Sequence, residues 1–382
     1  MPPLNHATVA EDLLRPTLVE VDLTRLRENL AAIRAAAGSA RVMAVLKANA
    51  YGHGMLRVAE DVVEAGADIL GVAFLEEGIL LRRHGIRAPI LVLGGIIGNQ
   101  VPLFLQHDLT LTASSTEKLA QIEAAAAAAG VVARVHLKID TGMERIGVHY
   151  YSAERLLEAS LRCRHTAIEG IYSHFANADA ENLSHARLQL ERFLEVVSFY
   201  ERRSVPTPMR HIANSAALVR LPESRLDLVR PGLLLYGVYP SRYVPRSLTV
   251  RPALSWKSRV VYFKVVRAGD PVGYGSTWST DHPVRLVTLP VGYGDGYFRS
   301  LSNRSSVLIR GERHPVVGLV CMDQTMVNIE QSTAYNGDEV VLVGESGEER
   351  ITVEDVARWA GTIPYEVLTN INTRVPRVYL EG

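Results

Sequence analysis

The chain has 382 residues, 47% hydrophobic and 21% charged, the balance of a soluble globular enzyme large enough for two domains. Its 41 Lys and Arg offset its 41 Asp and Glu, which excludes the net field that recruits nucleic acid or an anionic membrane. Two cysteines, Cys163 and Cys321, exclude a disulfide framework, and neither a signal-peptide pattern nor a membrane-length apolar run occurs, so a cytoplasmic protein is expected.

Residues 1–15 read as a loose leader, Thr17 to Val21 as a short strand, and Leu23 to Ala37 as an amphipathic helix ending near Gly38. Val42 to Leu46 is an apolar run of the kind buried on both faces of a parallel sheet. Lys47 follows at its carboxyl end, and a segment with Asn49, Tyr51, Gly52, His53 and Gly54 leads to a helix from Met55 to Ala65. Further strands are expected at Ile69 to Ala73, Ile90 to Leu93, Leu109 to Thr112, Ala133 to Ile139, Ala167 to Tyr172, Met209 to Ile212 and Leu228 to Arg230. Helices are expected at Glu76 to His84, Ser115 to Ala129, Ala153 to Arg162 and Ser184 to Arg202. Eight strands alternating with helical patterns predict an α/β fold, a closed (β/α)8 TIM-type barrel. No G-x-G-x-x-G follows the first strand, which speaks against dinucleotide binding.

Beyond about Tyr243 strands succeed one another without helices: Leu254 to Val266, Val284 to Pro290, Ser306 to Ile309, Val316 to Val320, Thr325 to Ile329 and Glu339 to Val343. A late helix, Val353 to Trp359, and a final strand, Val375 to Tyr379, complete the pattern. The expected domains are a barrel over 1–245 and a mainly-β domain over 246–382.

A lysine at a barrel strand end sits where such folds place their chemistry, and its ammonium is costly to desolvate, which suits a base or Schiff-base former. Lys138, Asp140 and Arg145 follow the fifth strand, His174 the sixth, Asn214 and Ser215 the seventh; Arg230 ends the eighth, before Gly232 and Leu233. Strand ends of a barrel converge, so these residues form one constellation, with room for a phosphate after strands seven and eight. Taken singly each has a plainer role: Ser215 an N-cap, Arg145 a surface ion pair, His174 a core histidine. The twelve histidines show no metal-ligand spacing. Tyr274 and Tyr293 are flanked by glycines, and Cys321, before Met322 and Asp323, reads as a small apolar residue.

VLKANAYGHG, KIDTGMERIG, HIANSAA, VRPGLLLYGV, VGYGSTW and LVCMDQTM, in this order and spacing, closely resemble alanine racemase along nearly the whole chain. One departure is Leu46, where the family signature more often has Ile or Val. The resemblance implies a pyridoxal 5'-phosphate enzyme, a homodimer with shared sites that interconverts L- and D-alanine for peptidoglycan synthesis. Lys47 would hold the cofactor as an aldimine and serve as base on one face, with Tyr274 of the other subunit on the opposite face. His174, Arg230, Tyr51, Asn214, Ser215, Gly232, Leu233 and Tyr365 would surround the cofactor; Arg145 and Met322 would bind the substrate carboxylate. Lys138 matches a lysine often carbamylated in the family, and Tyr293, Cys321 and Asp323 would line the walls or mouth of the site. The alternatives are a racemase of serine or lysine, a decarboxylase (which the arginine at 230 disfavours) and a non-catalytic cofactor-binding protein.

Overall fold

The computed structural model describes residues 14–381, so most of the expected leader lies outside the described residues. The chain divides into two compact units. One takes Leu26–Ala50 and Met55–Arg251; the other takes Tyr51–Gly54, Pro252 onward and the described residues up to Arg25.

The first unit is an eight-stranded parallel barrel. Its strands are Arg41–Val45, Ile69–Val72, Ile90–Val92, Leu111–Ala113, Ala133–Asp140, Thr166–Tyr172, Met209–His211 and Leu228–Val229. The first pairs with the second and the eighth; the second with the third; fourth to seventh follow in order. Single parallel bridges, Leu91 with Thr110 and Asn214 with Arg230, close the two remaining seams. The second strand is buried at every position, as its unbroken apolar run implies. The helix Thr116–Ala129 starts on Ser115, whose side chain accepts from the Lys118 amide, and ends on Gly130 at φ 67°. Helix Val101–Gln106, absent from the sequence reading, carries a proline in its first turn, where no amide partner is lost.

In the second unit a seven-stranded sheet runs Glu312–Pro315, Ser306–Ile309, Glu339–Ser346, Leu254–Arg259, Leu18–Asp22, Arg377–Leu380, with Glu349–Ile351 beside Glu339–Ser346. Leu18–Asp22, early in sequence, lies antiparallel to Leu254–Arg259 and parallel to Arg377–Leu380, its alternation of buried and half-buried residues fitting a one-sided strand. A second sheet holds Tyr262–Val266, Val284–Leu289 and Thr325–Glu330. The single strand expected over Leu254 to Val266 is thus two strands of different sheets, broken at Val260 and Val261. Val316 to Val320 forms no strand beyond one bridge, Val316 with Val327. The buried Trp256 packs edge-on against Tyr297 at 5.8 Å in this unit's core. Among the described residues no helix is long and apolar enough to cross a membrane.

Candidate active site

In the barrel, the first strand ends through Leu46, whose amide donates to Gly71 O at 2.8 Å, and Lys47 follows, partly buried. Ala48, Asn49, Ala50 and Tyr51 then take φ of 54°, 56°, 53° and 51°. This is a left-handed turn of four non-glycine residues, closed by the Ala50 amide on Leu46 O at 2.7 Å. Each such residue costs ~1–2 kcal/mol against the right-handed form, so the turn exists only because its surroundings hold it. Asn49 Oδ1 accepts from the Met55 amide at 2.8 Å and starts the next helix, Met55–Glu64. Glu77 accepts from the Ala48 amide at 2.7 Å through one oxygen and from the Ala73 amide at 2.7 Å through the other.

Burial draws the Lys47 amine below its ordinary pKa; Arg145 lowers it further, Glu77 opposes, and Arg230 adds to the lowering. Such an amine is more readily neutral and nucleophilic than a surface lysine. Arg145 is exposed at the end of a loop after the fifth strand. Asp140 organises that loop by accepting from the amides of Gly142 (2.8 Å), Met143 (3.0 Å) and Arg145 (3.1 Å). Burial alone would raise the Asp140 carboxyl, but these amides hold it below the usual range.

Arg230 is buried and donates to Ser173 O (2.8 Å), Ile212 O (3.2 Å), His211 Nδ1 (2.9 Å) and His174 Nδ1 (3.1 Å). A guanidinium only donates, so both imidazoles present a lone pair at Nδ1 and carry their protons on Nε2. His211 Nε2 therefore donates to His136 Nδ1, 2.8 Å away. Burial, then the Arg230 charge, holds His174 and His211 well below the ordinary histidine pKa and takes His136 down to about 3. All three are neutral at pH 7. Burial also lowers Arg230 itself to about 10, still charged. Its partners among the described residues include no carboxylate.

Lys138 is buried, donates to Ile139 O at 2.8 Å and lies 5.2 Å from the Tyr172 ring centre. Burial, with Arg230 adding and Asp140 opposing, lowers its amine to about 7. Ser215 does not cap its helix. Asn214 does, accepting from the Ala217 amide at 3.0 Å, while Ser215 Oγ accepts from the amides of Gly232 (2.9 Å) and Leu234 (3.3 Å). That contact joins the start of helix Ser215–Arg220 to the turn Leu233–Tyr236, so Asn214, Ser215, Gly232 and the buried Leu233 meet at one place.

In the other unit, Tyr51 and Tyr365 place their rings 6.1 Å apart, Tyr51 buried and its hydroxyl raised by that burial. The turn after Tyr51 needs glycine: Gly52 has φ 82°, and a Cβ there would lie 2.2 Å from Leu368 O. Tyr274, 73% exposed, tops the turn Tyr274–Ser276, below which Val272 bridges Trp278. Tyr293 (43% exposed) and Met322 (54%) sit together: the Tyr293 amide donates to Cys321 O at 3.0 Å and the Gly294 amide to Met322 O at 2.9 Å. A Cβ on Gly292 would come within 2.4 Å of Met322 O. Arg374 binds Asp323 at 2.5 Å and the buried Asp295 at 2.7 Å, and Asp295 also pairs with Arg15 at 2.6 Å. Burial raises the Cys321 thiol, in keeping with a small apolar residue.

The barrel thus brings Lys47, Lys138, Arg145, His174, Asn214, Ser215, Arg230, Gly232 and Leu233 to one rim, while Tyr274, Tyr293, Cys321, Met322 and Asp323 occupy turns of the other unit. Sequence reasoning missed Glu77, His136, His211, Asp295 and Arg374. His211 stands three residues before Asn214 in a segment already singled out, and Asp295 lies in the glycine-rich run around Tyr293. Glu77 and Arg374 carry no local signal.

The family models for the alanine racemase N-terminal and C-terminal domains match residues 21–240 and 253–379. The alanine racemase of Carboxydothermus hydrogenoformans is 47% identical over 96% of this chain and all of its own length. The solved alanine racemase of D-cycloserine-producing Streptomyces lavendulae superposes with a TM-score of 0.93 at 39% identity, over 97% of this chain and 98% of that one. That of Bartonella henselae, solved with covalently bound pyridoxal phosphate, gives 0.87 at 27% identity, over 96% and 99%. The rim of strand-end residues and the ordered match over both units have one common reading: the chain belongs to the alanine racemase family, enzymes of the isomerase class.

Proposed function

We propose that the protein is a cytoplasmic, dimeric racemase that interconverts L- and D-alanine with pyridoxal 5'-phosphate and supplies D-alanine for peptidoglycan. The observation that carries this reading is the pair formed by Lys47, an amine lowered by burial, and Arg230, a buried guanidinium whose side-chain partners are neutral histidines. The residues fit the cofactor: an amine to bind it covalently, a donor-only group for its ring nitrogen, and the Ser215, Gly232 and Leu233 turn for its phosphate. The cofactor, when bound, supplies a ring that accepts the charge left as a proton leaves the substrate Cα.

Lys47 Nζ takes or returns that proton on one face. On the other face the phenol oxygen of the partner subunit's Tyr274 does the same, which makes the exchange of hands symmetrical. Arg230 only donates and does not readily give up its proton, so it would leave the ring nitrogen of the bound group unprotonated and the ring a moderate electron sink. This favours prompt return of the proton and disfavours a decarboxylase. Arg145 and the Met322 amide of the partner subunit would hold the substrate carboxylate, with Tyr293, Cys321 and Asp323 lining the approach. The Lys138 amine, at about 7, is neutral often enough to take up carbon dioxide as a carbamate, whose negative charge would orient Arg145.

The test is chiral product analysis over a panel of amino acids with added cofactor. Alanine should racemise, and borohydride should fix the cofactor on Lys47. Lys47→Ala should lose on the order of 10⁴-fold in kcat/KM, and equal activity of this variant and wild type would sink the reading.

A further inference from the structure

One backbone neighbour of Lys47 is tied to the second barrel strand and the other to the helix that follows it. The Leu46 amide donates to Gly71 O, and the Ala48 amide donates to Glu77 Oε1 at 2.7 Å. The other oxygen of Glu77 accepts from the Ala73 amide at 2.7 Å and the Phe74 amide at 3.3 Å. These are the residues that leave the second strand, and Glu77 itself is in the first turn of the helix they begin, Leu75–Arg83. One carboxylate therefore clamps the ends of two adjacent strands, with charge-assisted bonds to three amides. What it clamps is the left-handed turn Ala48 to Tyr51. Ala48 and Asn49 are exposed, so packing does little to hold them in a conformation that L-residues avoid. Helix capping alone would account for the Ala73 and Phe74 contacts but not for the reach to Ala48, 29 residues away in sequence.

We propose that Glu77 is a positioning residue for Lys47: it holds the left-handed turn and so fixes the direction in which the lysine leaves the strand. The proposal rests on Lys47 as the residue that carries the cofactor. Glutamine at 77 keeps one acceptor oxygen but turns an NH2 toward one of the two amide sites, so it cannot serve both.

The test has three parts on the full-length chain. Freed of cofactor and mixed with pyridoxal phosphate, Glu77→Gln should attach it to Lys47 about tenfold or more slowly than wild type, the loss expected for one charge-assisted hydrogen bond. Adding Ala48→Gly should recover about threefold or more of that loss, because glycine adopts positive φ freely. A role as a charge beside Lys47, or in helix stability alone, predicts no such recovery. In wild type, the Ala48 amide should exchange its hydrogen slowly although the residue is exposed, a measurement that needs neither variant nor cofactor. Attachment at the wild-type rate in Glu77→Gln, no recovery with Ala48→Gly, or open-chain exchange at Ala48 would each overturn the proposal. Failure of wild type to attach cofactor at Lys47 would instead overturn the functional reading.

Discussion

On the barrel rim, Lys138, His174, His211 and Arg230 are buried or half-buried among one another, and burial is the first cause of every shift in their protonation. In the C-terminal unit, Tyr274, Met322 and Tyr293 stand 73%, 54% and 43% exposed on turns, each tyrosine between two glycines. The rim is internally braced but rich in cation: Asp140 and Glu77, its nearby carboxylates, both spend their oxygens on backbone amides. It is ready for an anion. The turns are braced from beneath, by Asp295, Arg374 and the Cys321–Met322 carbonyls, with their side chains left outward. The shared active site proposed above would draw one such half from each of two chains.

Mixing subunits is the strongest way to break this comparison. Lys47→Ala and Tyr274→Phe should each be nearly inactive alone, the second by about 10²–10⁴-fold. Unfolded together and refolded, they should regain up to about a quarter of wild-type activity, because each mixed dimer contains one intact site. No regain would place Lys47 and Tyr274 of one chain in the same site.

Arg230→Met separates bracing from charge. It strips the donor from two carbonyls and two imidazoles, and should cost ~3–5 kcal/mol of stability by urea unfolding, as breaking a buried charged network does. Tyr274→Phe, at an exposed position, should stay within about 0.5 kcal/mol of wild type. Similar losses for the two would erase the contrast between the halves.

A further effect is a slope. Lys138 titrates at about 7 in the fold against an ordinary 10.5, so between these values the unfolded chain binds a proton that the folded chain does not. Its contribution to stability therefore rises with pH through that window, by up to ~1.4 kcal/mol per pH unit, and is complete above 10.5. Comparing urea midpoints across that window, without bicarbonate, Lys138→Met should have the flatter profile. An unchanged slope would show that Lys138 is not held neutral by burial.

Much of this was legible beforehand. Most barrel strands announce themselves because a strand buried on both faces tolerates little but apolar residues, and Lys47, His174 and Arg230 stand at the ends of such runs. Four of the six spaced segments, VLKANAYGHG, KIDTGMERIG, HIANSAA and VRPGLLLYGV, lie at strand ends that any closed barrel brings together, whereas VGYGSTW and LVCMDQTM lie on turns of the other unit. The break at Val260 and Val261 was not legible: both residues are apolar and β-branched, and only the different sheets on either side separate the strands. Nor was helix Pro364–Asn370 foreseen, which brings Tyr365 beside Tyr51.

Local sequence thus determined which segments are barrel strands, which residues stand at their ends, and that Lys47 follows the first of them. Tertiary structure decided the rest. Ala48 and Ala50 have no intrinsic reason to turn left-handed, and do so where Glu77, Asn49 and the Leu46 carbonyl hold the backbone. His174, His211 and His136 become neutral acceptors and donors of fixed sense only because the fold buries them against Arg230. Hydrophobic pattern is written residue by residue, whereas protonation and strain depend on neighbours that are distant in the chain and adjacent only after folding.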